Sequence, residues 1–194
     1  AILCFLGAGY DHRLPSKYKA TVKKGIDWLV SVQKPDGLFP GGRNYEQGVA
    51  TMALAEAYAM SNDPALKDPA QKGIDLILSR QNKDAKGGGY GLGWDYVSPG
   101  ARNDGSVTGW CCMALKSGAA GGLNVGNGME GSKEYLIKAW KASNKDFQAK
   151  DPYTDVSVFP YTYDGHADVM MDKSHTNLAP VGALMAVFLG YKGD

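Results

Sequence analysis

The residues best suited to chemistry fall into two groups. The first is aromatic and acidic: Tyr45 and Glu46 open one apolar segment, Tyr90, Trp94, Asp95 and Tyr96 lie in a glycine-rich stretch, and Asp104 precedes the next apolar segment. Aromatic platforms beside carboxylates suit sugar binding, and a pair of carboxylates can hydrolyse a glycosidic bond. The plainer reading, which we favour, is that the aromatics pack the loop and Asp104 caps the helix after it. These seven residues are therefore candidates for ligand binding, and none is assigned a catalytic role. The second group is Asp164-x-His166-x-Asp168, with Asp172 and His175 nearby. Asp and His are metal-ligand types, but no known ligand spacing is reproduced. The expectation is a solvated or locally hydrogen-bonded loop, with no metal and no cofactor. His12, between Asp11 and Arg13, reads as a surface turn residue. Gly87-Gly88-Gly89-Tyr90-Gly91-x-Gly93 is not a phosphate loop, because no Gly-Lys-Ser/Thr follows it and no strand pattern precedes it.

These residues must be positioned by helices. The 194-residue chain carries a formal charge of +1, which gives no reason to expect a nucleic acid or an anionic membrane as partner. No apolar run approaches the roughly 20 residues of a membrane span. Cys4, Cys111 and Cys112 are an odd number with one adjacent pair, so they form no disulfide framework and read as small buried apolar side chains. Residues 1–9 read as the end of an apolar helix with a glycine stop. The expectation from this start is a C-terminal part of a longer chain, from which a targeting segment could have been removed; compartment is left open.

After that stub, about six helices can be read. Lys17 to Lys34 is amphipathic, with Val22, Ile26, Leu29 and Val30 at helical spacing, and Lys34-Pro35-Asp36-Gly37 stops it. Tyr45 to Met60 is apolar nearly all round, with Asn44 and Gln47 spaced as a capping box. The pair then recurs. A segment capped by Asp68, with Pro69 at its first position, runs to about Asn82 and is amphipathic through Ile74, Ile77 and Leu78. Ser106 to Ala120 is again nearly all apolar. A third round has Glu130 to Ser143, with Tyr135, Leu136, Ala139 and Trp140 inward, a long loop over 144–176, and an apolar helix from Asn177 to Leu189. The rounds cover about 17–60, 68–120 and 130–190 of one domain, 1–194. Alternating amphipathic and buried helices fit two concentric layers, an all-α fold of the α/α-toroid type or an arc of one.

An internal repeat supports that geometry. Lys24-Gly25-Ile26-Asp27 recurs as Lys72-Gly73-Ile74-Asp75, and both the glycines and the glutamines Gln33 and Gln81 are 48 residues apart. A fixed period of this size marks an array of supersecondary units. A glycine inside a helix costs about 1 kcal/mol relative to alanine, so its placement twice at one phase predicts a close helix–helix contact at Gly25 and at Gly73.

Lys24-Gly25-x-x-Trp28-Leu29-x-x-x-Gln33-x-x-x-Gly37-x-Phe39 resembles the QW motif of squalene–hopene cyclases and related toroids. A degenerate copy runs from Lys72-Gly73 through Gln81 to Gly88-Gly89-Tyr90, with Leu76 in place of the first aromatic, and a weaker third has Tyr135-Leu136 and Trp140. Asp104-x-Ser106-Val107-Thr108-Gly109-Trp110-x-x-Met113-Ala114-Leu115-Lys116-Ser117 and the stretch from Leu178 to Tyr191 are similar to bacterial prenyltransferase and squalene oxidase repeat proteins. The resemblance covers nearly the whole chain. It implies a terpenoid cyclase/protein prenyltransferase-like toroid in which each repeat glutamine caps backbone groups of a neighbouring inner helix and an aromatic stacks on it. It also implies that the starts of the inner helices face one end of a cavity; an enzyme on this fold would need that mouth to gather Glu46, Asp95 and Asp104.

The chemistry of the family's enzymes does not carry over. The Asp-x-Asp-Asp acid of the cyclases and the Asp-Asp-x-x-Asp metal site of class I terpene synthases do not occur. Nor does any cysteine sit in the Asp, Cys and His zinc pattern of prenyltransferase β-subunits. The expectation is a binding or scaffold module for a small molecule or a protein partner. The alternative is an enzyme on the same toroid, isoprenoid-processing or glycan-active, using carboxylates at the inner-helix starts. A homodimer through exposed edge helices is a further expectation.

Overall fold

The structure is a computed structural model. It describes residues 1–83, 92–97, 99–100, 102–150, 159–164, 169–170 and 177–191, of which 145–150 and 169–170 as backbone only. The described chain is mostly helical: α1 (Ile2–Gly7), α2 (Lys19–Val32), α3 (Asn44–Ser61), α4 (Pro64–Ser79), α5 (Gly105–Ala120), α6 (Gly128–Lys150) and α7 (Ala179–Phe188), with two-residue strands β1 (Asn103–Asp104), β2 (Thr162–Tyr163) and β3 (Val169–Met170). No described helix is long and apolar enough to cross a membrane. The chain divides into two compact units, one of Ala1–Ser79 with Met113–Gly126, the other of Arg80–Cys112 with Asn127–Asp194.

In the first unit, α2 buries Val22, Ile26 and Leu29 on one face. Its outer face carries the Lys23–Asp27 ion pair at 2.7 Å. α3 buries residues around most of its circumference, among them Gln47, Thr51, Leu54 and Ala57, and touches α1, α2 and α4. The repeated glycines lie where the helices come closest. A Cβ on Gly25 would stand 2.9 Å from Cγ1 of Ile2 in α1, and a Cβ on Gly73 would stand 2.6 Å from Oγ1 of Thr51 in α3. Each amphipathic helix thus sets its glycine against the apolar helix before it, as the repeat predicts.

Several local expectations are corrected. α3 has Arg43 at its N-cap with no side-chain cap, so Asn44 and Gln47 form no capping box. The Gln47 amide is turned sideways instead. Its Oε1 accepts from the Phe39 N–H at 3.1 Å, and its Nε2 donates to the Gly37 carbonyl at 3.1 Å and to Thr51 Oγ1 at 3.2 Å. α4 begins at Pro64, with Pro69 in its interior. Asn62 ends α3 in the left-handed region (φ 49°), the Asp63 carboxylate accepts from the Ala65 N–H at 3.1 Å, and Pro64 suits a first helical position. This earlier start signal outweighs the Asp68–Pro69 pair.

The repeat glutamines also act differently from the implied role. Gln33 donates to the Gly37 carbonyl at 3.3 Å and to the Pro69 carbonyl of α4 at 3.0 Å. Gln81, in the second unit, donates to the Leu92 carbonyl at 2.8 Å and to the Gly128 carbonyl, the first residue of α6, at 3.1 Å. Gln33 thus ties the end of α2 to its own following loop and to the early part of α4, and Gln81 ties its own following loop to the start of α6; none of these acceptors lies on an inner helix.

His12 is buried rather than superficial, 7% exposed. Its Nε2 lies 2.9 Å from Asp63 Oδ2. The hydrogen bond from His12, the Ala65 N–H and the nearby charges of His12 and Arg13 together hold the Asp63 carboxyl below the ordinary carboxylate range. The pair fastens the loop after α1 to the start of α4. Cys4 is exposed, against expectation, while Cys111 and Cys112 are buried. Burial pushes the Cys111 thiol up, far from the thiolate.

In the second unit a small antiparallel sheet pairs Asn103 with Tyr163 and Asp104 with Thr162, then Thr162 with Met170 and Tyr163 with Val169. It lies partly within the stretch expected to be loop; two-residue strands are too short to show a period of two in sequence. Buried asparagines hold the adjoining loops. Asn103 accepts from the Gly93 N–H at 2.9 Å and donates to the Tyr163 carbonyl at 2.8 Å. Asn82 donates to the Arg102 carbonyl at 2.7 Å. The core gathers Leu92, Cys112, Phe159, Tyr163 and Met185 around Tyr135, Leu136 and Ala139 of α6. Trp140, expected inward, is 37% exposed. α6 runs seven residues beyond the expected Ser143, to Lys150.

Candidate functional site: an apolar pocket of α1, α2 and α3

The first unit contains a pocket of about 610 Å³ lined by α1, α2, the loop after α2, and the first three turns of α3. α2 supplies Gly25, Trp28, Leu29 and Val32, the loop supplies Phe39 and Pro40, and α3 supplies Tyr45, Glu46, Val49, Ala50 and Ala53. Residues three, four and seven apart share a helix face, which is why Gly25, Trp28, Leu29 and Val32 look the same way. Gly25 and the two alanines leave the space that larger side chains would fill. Small-molecule sites are typically concavities of about 300–1,000 Å³, apolar with few polar groups, and this one falls within that range.

The loop is held in place by backbone geometry and by Gln47. Gly37, Gly41 and Gly42 adopt positive φ (89°, 95° and 73°), which turns the chain from α2 into α3. The buried Gln47 binds Gly37 and Phe39 on both sides of Leu38, so the Phe39 ring, 3% exposed, is fixed at the pocket wall. Glu46 sits in the first turn of α3, with its carboxylate beside Gly41. It is the one charged side chain of the lining.

The sequence-derived candidates are distributed as follows. Tyr45 and Glu46 line the pocket of the first unit. Trp28, read as a structural repeat residue, is 57% exposed and forms pocket wall. Trp94 in the second unit is wholly buried, its backbone N–H donating to Thr108 Oγ1 at 2.9 Å. Asp95 is engaged by Arg102 through two bonds of 2.7 Å. Burial alone would raise the Asp95 carboxyl, but the Arg102 hydrogen bonds, the Tyr96 N–H and the guanidinium charge outweigh it and hold it below the ordinary range. The Tyr96 hydroxyl lies 3.3 Å from that of Tyr161. Tyr90 and Gly89 lie outside the described residues, as do His166, Asp168, Asp172 and His175. Asp164 is half-buried, and no metal-binding group of three His, Cys, Asp or Glu occurs among the described residues.

Asp104 caps α5. Its Oδ1 accepts from the N–H groups of Ser106 at 2.9 Å and Val107 at 3.0 Å, and from the Ser106 hydroxyl at 2.6 Å. Asp104 is fully buried and caps the helix through this one oxygen, while its Oδ2 is buried with no hydrogen-bond partner among the described residues. Asp104→Ala should destabilise the chain by about 1–2 kcal/mol, read from urea denaturation; a change near zero would show that the cap carries no weight. Nearby, burial and then the Asp104 charge push the Tyr135 hydroxyl well above its ordinary range, so it stays protonated.

The pocket residues Leu29, Val32, Val49, Ala50 and Ala53 were missed by sequence reasoning, although a signal exists. Gly25, Trp28 and Val32 form a second apolar stripe on α2 beside Val22, Ile26 and Leu29. An amphipathic helix that packs on one neighbour needs only one such stripe. No protein-family model matches the chain, and no curated protein or solved structure matches it.

Proposed function

We propose that this chain is a repeat domain of the terpenoid cyclase/protein prenyltransferase kind, an α/α toroid or an arc of one, and that it is a binding module for an apolar small molecule. The observation that carries this reading is the apolar pocket of α1, α2 and α3 with its wall of Trp28, Phe39 and Tyr45. The toroid part is supported by the alternation of one-faced and all-round buried helices and by the two glycines in phase against the preceding helix. The binding part is supported by the lack of an Asp-x-Asp-Asp or Asp-Asp-x-x-Asp motif in the sequence and by the structural engagement of Asp95 and Asp104. In this reading Glu46 has no second carboxylate in the pocket lining with which to share acid–base work.

A thermal-shift screen tests it. Neutral isoprenoid alcohols, oligosaccharides and divalent cations are added separately to the whole chain. A ligand at 100 times its dissociation constant adds about 2.7 kcal/mol of stability. The expected result is a rise in Tm with the isoprenoid alcohols alone, reduced in Trp28→Ala. A rise with oligosaccharides or cations only would overturn the proposal, and silence in all three classes would favour a scaffold that binds a protein.

A further inference from the structure

We infer that the ligand of this pocket is a lipophilic amine, an ammonium group on an apolar chain; this rests on the reading of the pocket as a ligand site. The lining is apolar and aromatic except for Glu46, and no lining side chain is cationic. Glu46 is exposed at the pocket and forms no ion pair with a described residue. It lies in the first turn of α3, with its carboxylate beside Gly41. A ligand that fills the apolar interior therefore leaves its polar end beside an unneutralised negative charge. A phosphate or diphosphate head there meets like-charge repulsion, and a neutral alcohol gains one hydrogen bond. An ammonium head gains a charge-assisted hydrogen bond to Glu46. The apolar chain of the ligand then runs along Leu29, Val49 and Ala53. Because Glu46 is in contact with water, the preference is modest in size but definite in sign.

The test compares three probes with one tail, 1-octylammonium, 1-octanol and octyl phosphate, each below its micelle-forming concentration. Binding is titrated calorimetrically to the whole chain and to Glu46→Gln, an exposed and nearly isosteric change that leaves the fold intact. The expected order is ammonium, then alcohol, then phosphate, with roughly five- to tenfold between the first two. In Glu46→Gln the ammonium and the alcohol should bind alike. Equal binding of amine and alcohol to the unaltered chain, or a preference that survives in Glu46→Gln, overturns the amine assignment while the apolar pocket stands. Binding of none of the three, with melting curves unchanged, overturns the pocket reading together with it.

Discussion

Gly37→Ala should lower the unfolding free energy by about 3 kcal/mol. Two causes add. Gly37 has φ 89°, a region in which a Cβ costs about 1–2 kcal/mol. The new methyl would also fall against the backbone carbonyl of Lys72, and a backbone group inside α4 cannot rotate away. The cost spreads further, because the Gly37 carbonyl accepts from both Gln33 and Gln47. Gly25→Ala is the control. Its methyl meets only the end of the Ile2 side chain, at 2.9 and 3.0 Å, which can turn aside, and alanine gains about 1 kcal/mol in helix propensity. Urea denaturation of the two variants should therefore differ sharply, with Gly25→Ala close to the unaltered chain. Similar midpoints would refute the role given to the turn at Gly37.

Gln47→Leu should cost a comparable amount, about 3 kcal/mol. The side chain is 1% exposed and satisfies the Phe39 N–H and the Gly37 carbonyl, with Thr51 and, at 3.5 Å, the Gly73 carbonyl beside it. Leucine matches the volume but leaves the Phe39 N–H without its acceptor and removes one of the two donors to the Gly37 carbonyl; a buried polar group left unsatisfied costs about 1–3 kcal/mol. The same change frees the loop that carries Phe39, so affinity for an apolar ligand should fall along with stability. Denaturation and ligand titration on one preparation check both. A loss of stability below about 1 kcal/mol would mean that water or a shifted loop replaces the amide.

Helices were legible because their signals are local. The stripe Val22, Ile26, Leu29 and the all-round apolar run from Val49 to Ala59 mark α2 and α3 from composition and spacing alone. Asp104 followed by Ser106 marked a cap, and the structure places those bonds there. What failed is what depends on partners distant in sequence. Gln33 and Gln81 find acceptors 36 and 47 residues away, and spacing within the motif cannot say which helix these belong to. Gln47 fitted a local capping rule and yet serves a loop eight to ten residues behind it. His12 looked like a charged turn and is buried by a carboxylate 51 residues further on. Trp28 was read as motif, and its exposure at a pocket follows from how α1, α2 and α3 meet.

Fluorine NMR of the chain labelled with 5-fluorotryptophan tests the central claim most directly. The sequence has four tryptophans, of which Trp28 alone lines the pocket. Saturating a neutral isoprenoid alcohol or 1-octylammonium should move one resonance strongly, and that resonance should be the one missing from Trp28→Phe. Four unmoved resonances, or a shift confined to Trp94, Trp110 or Trp140, would contradict a ligand site in the pocket of α1, α2 and α3.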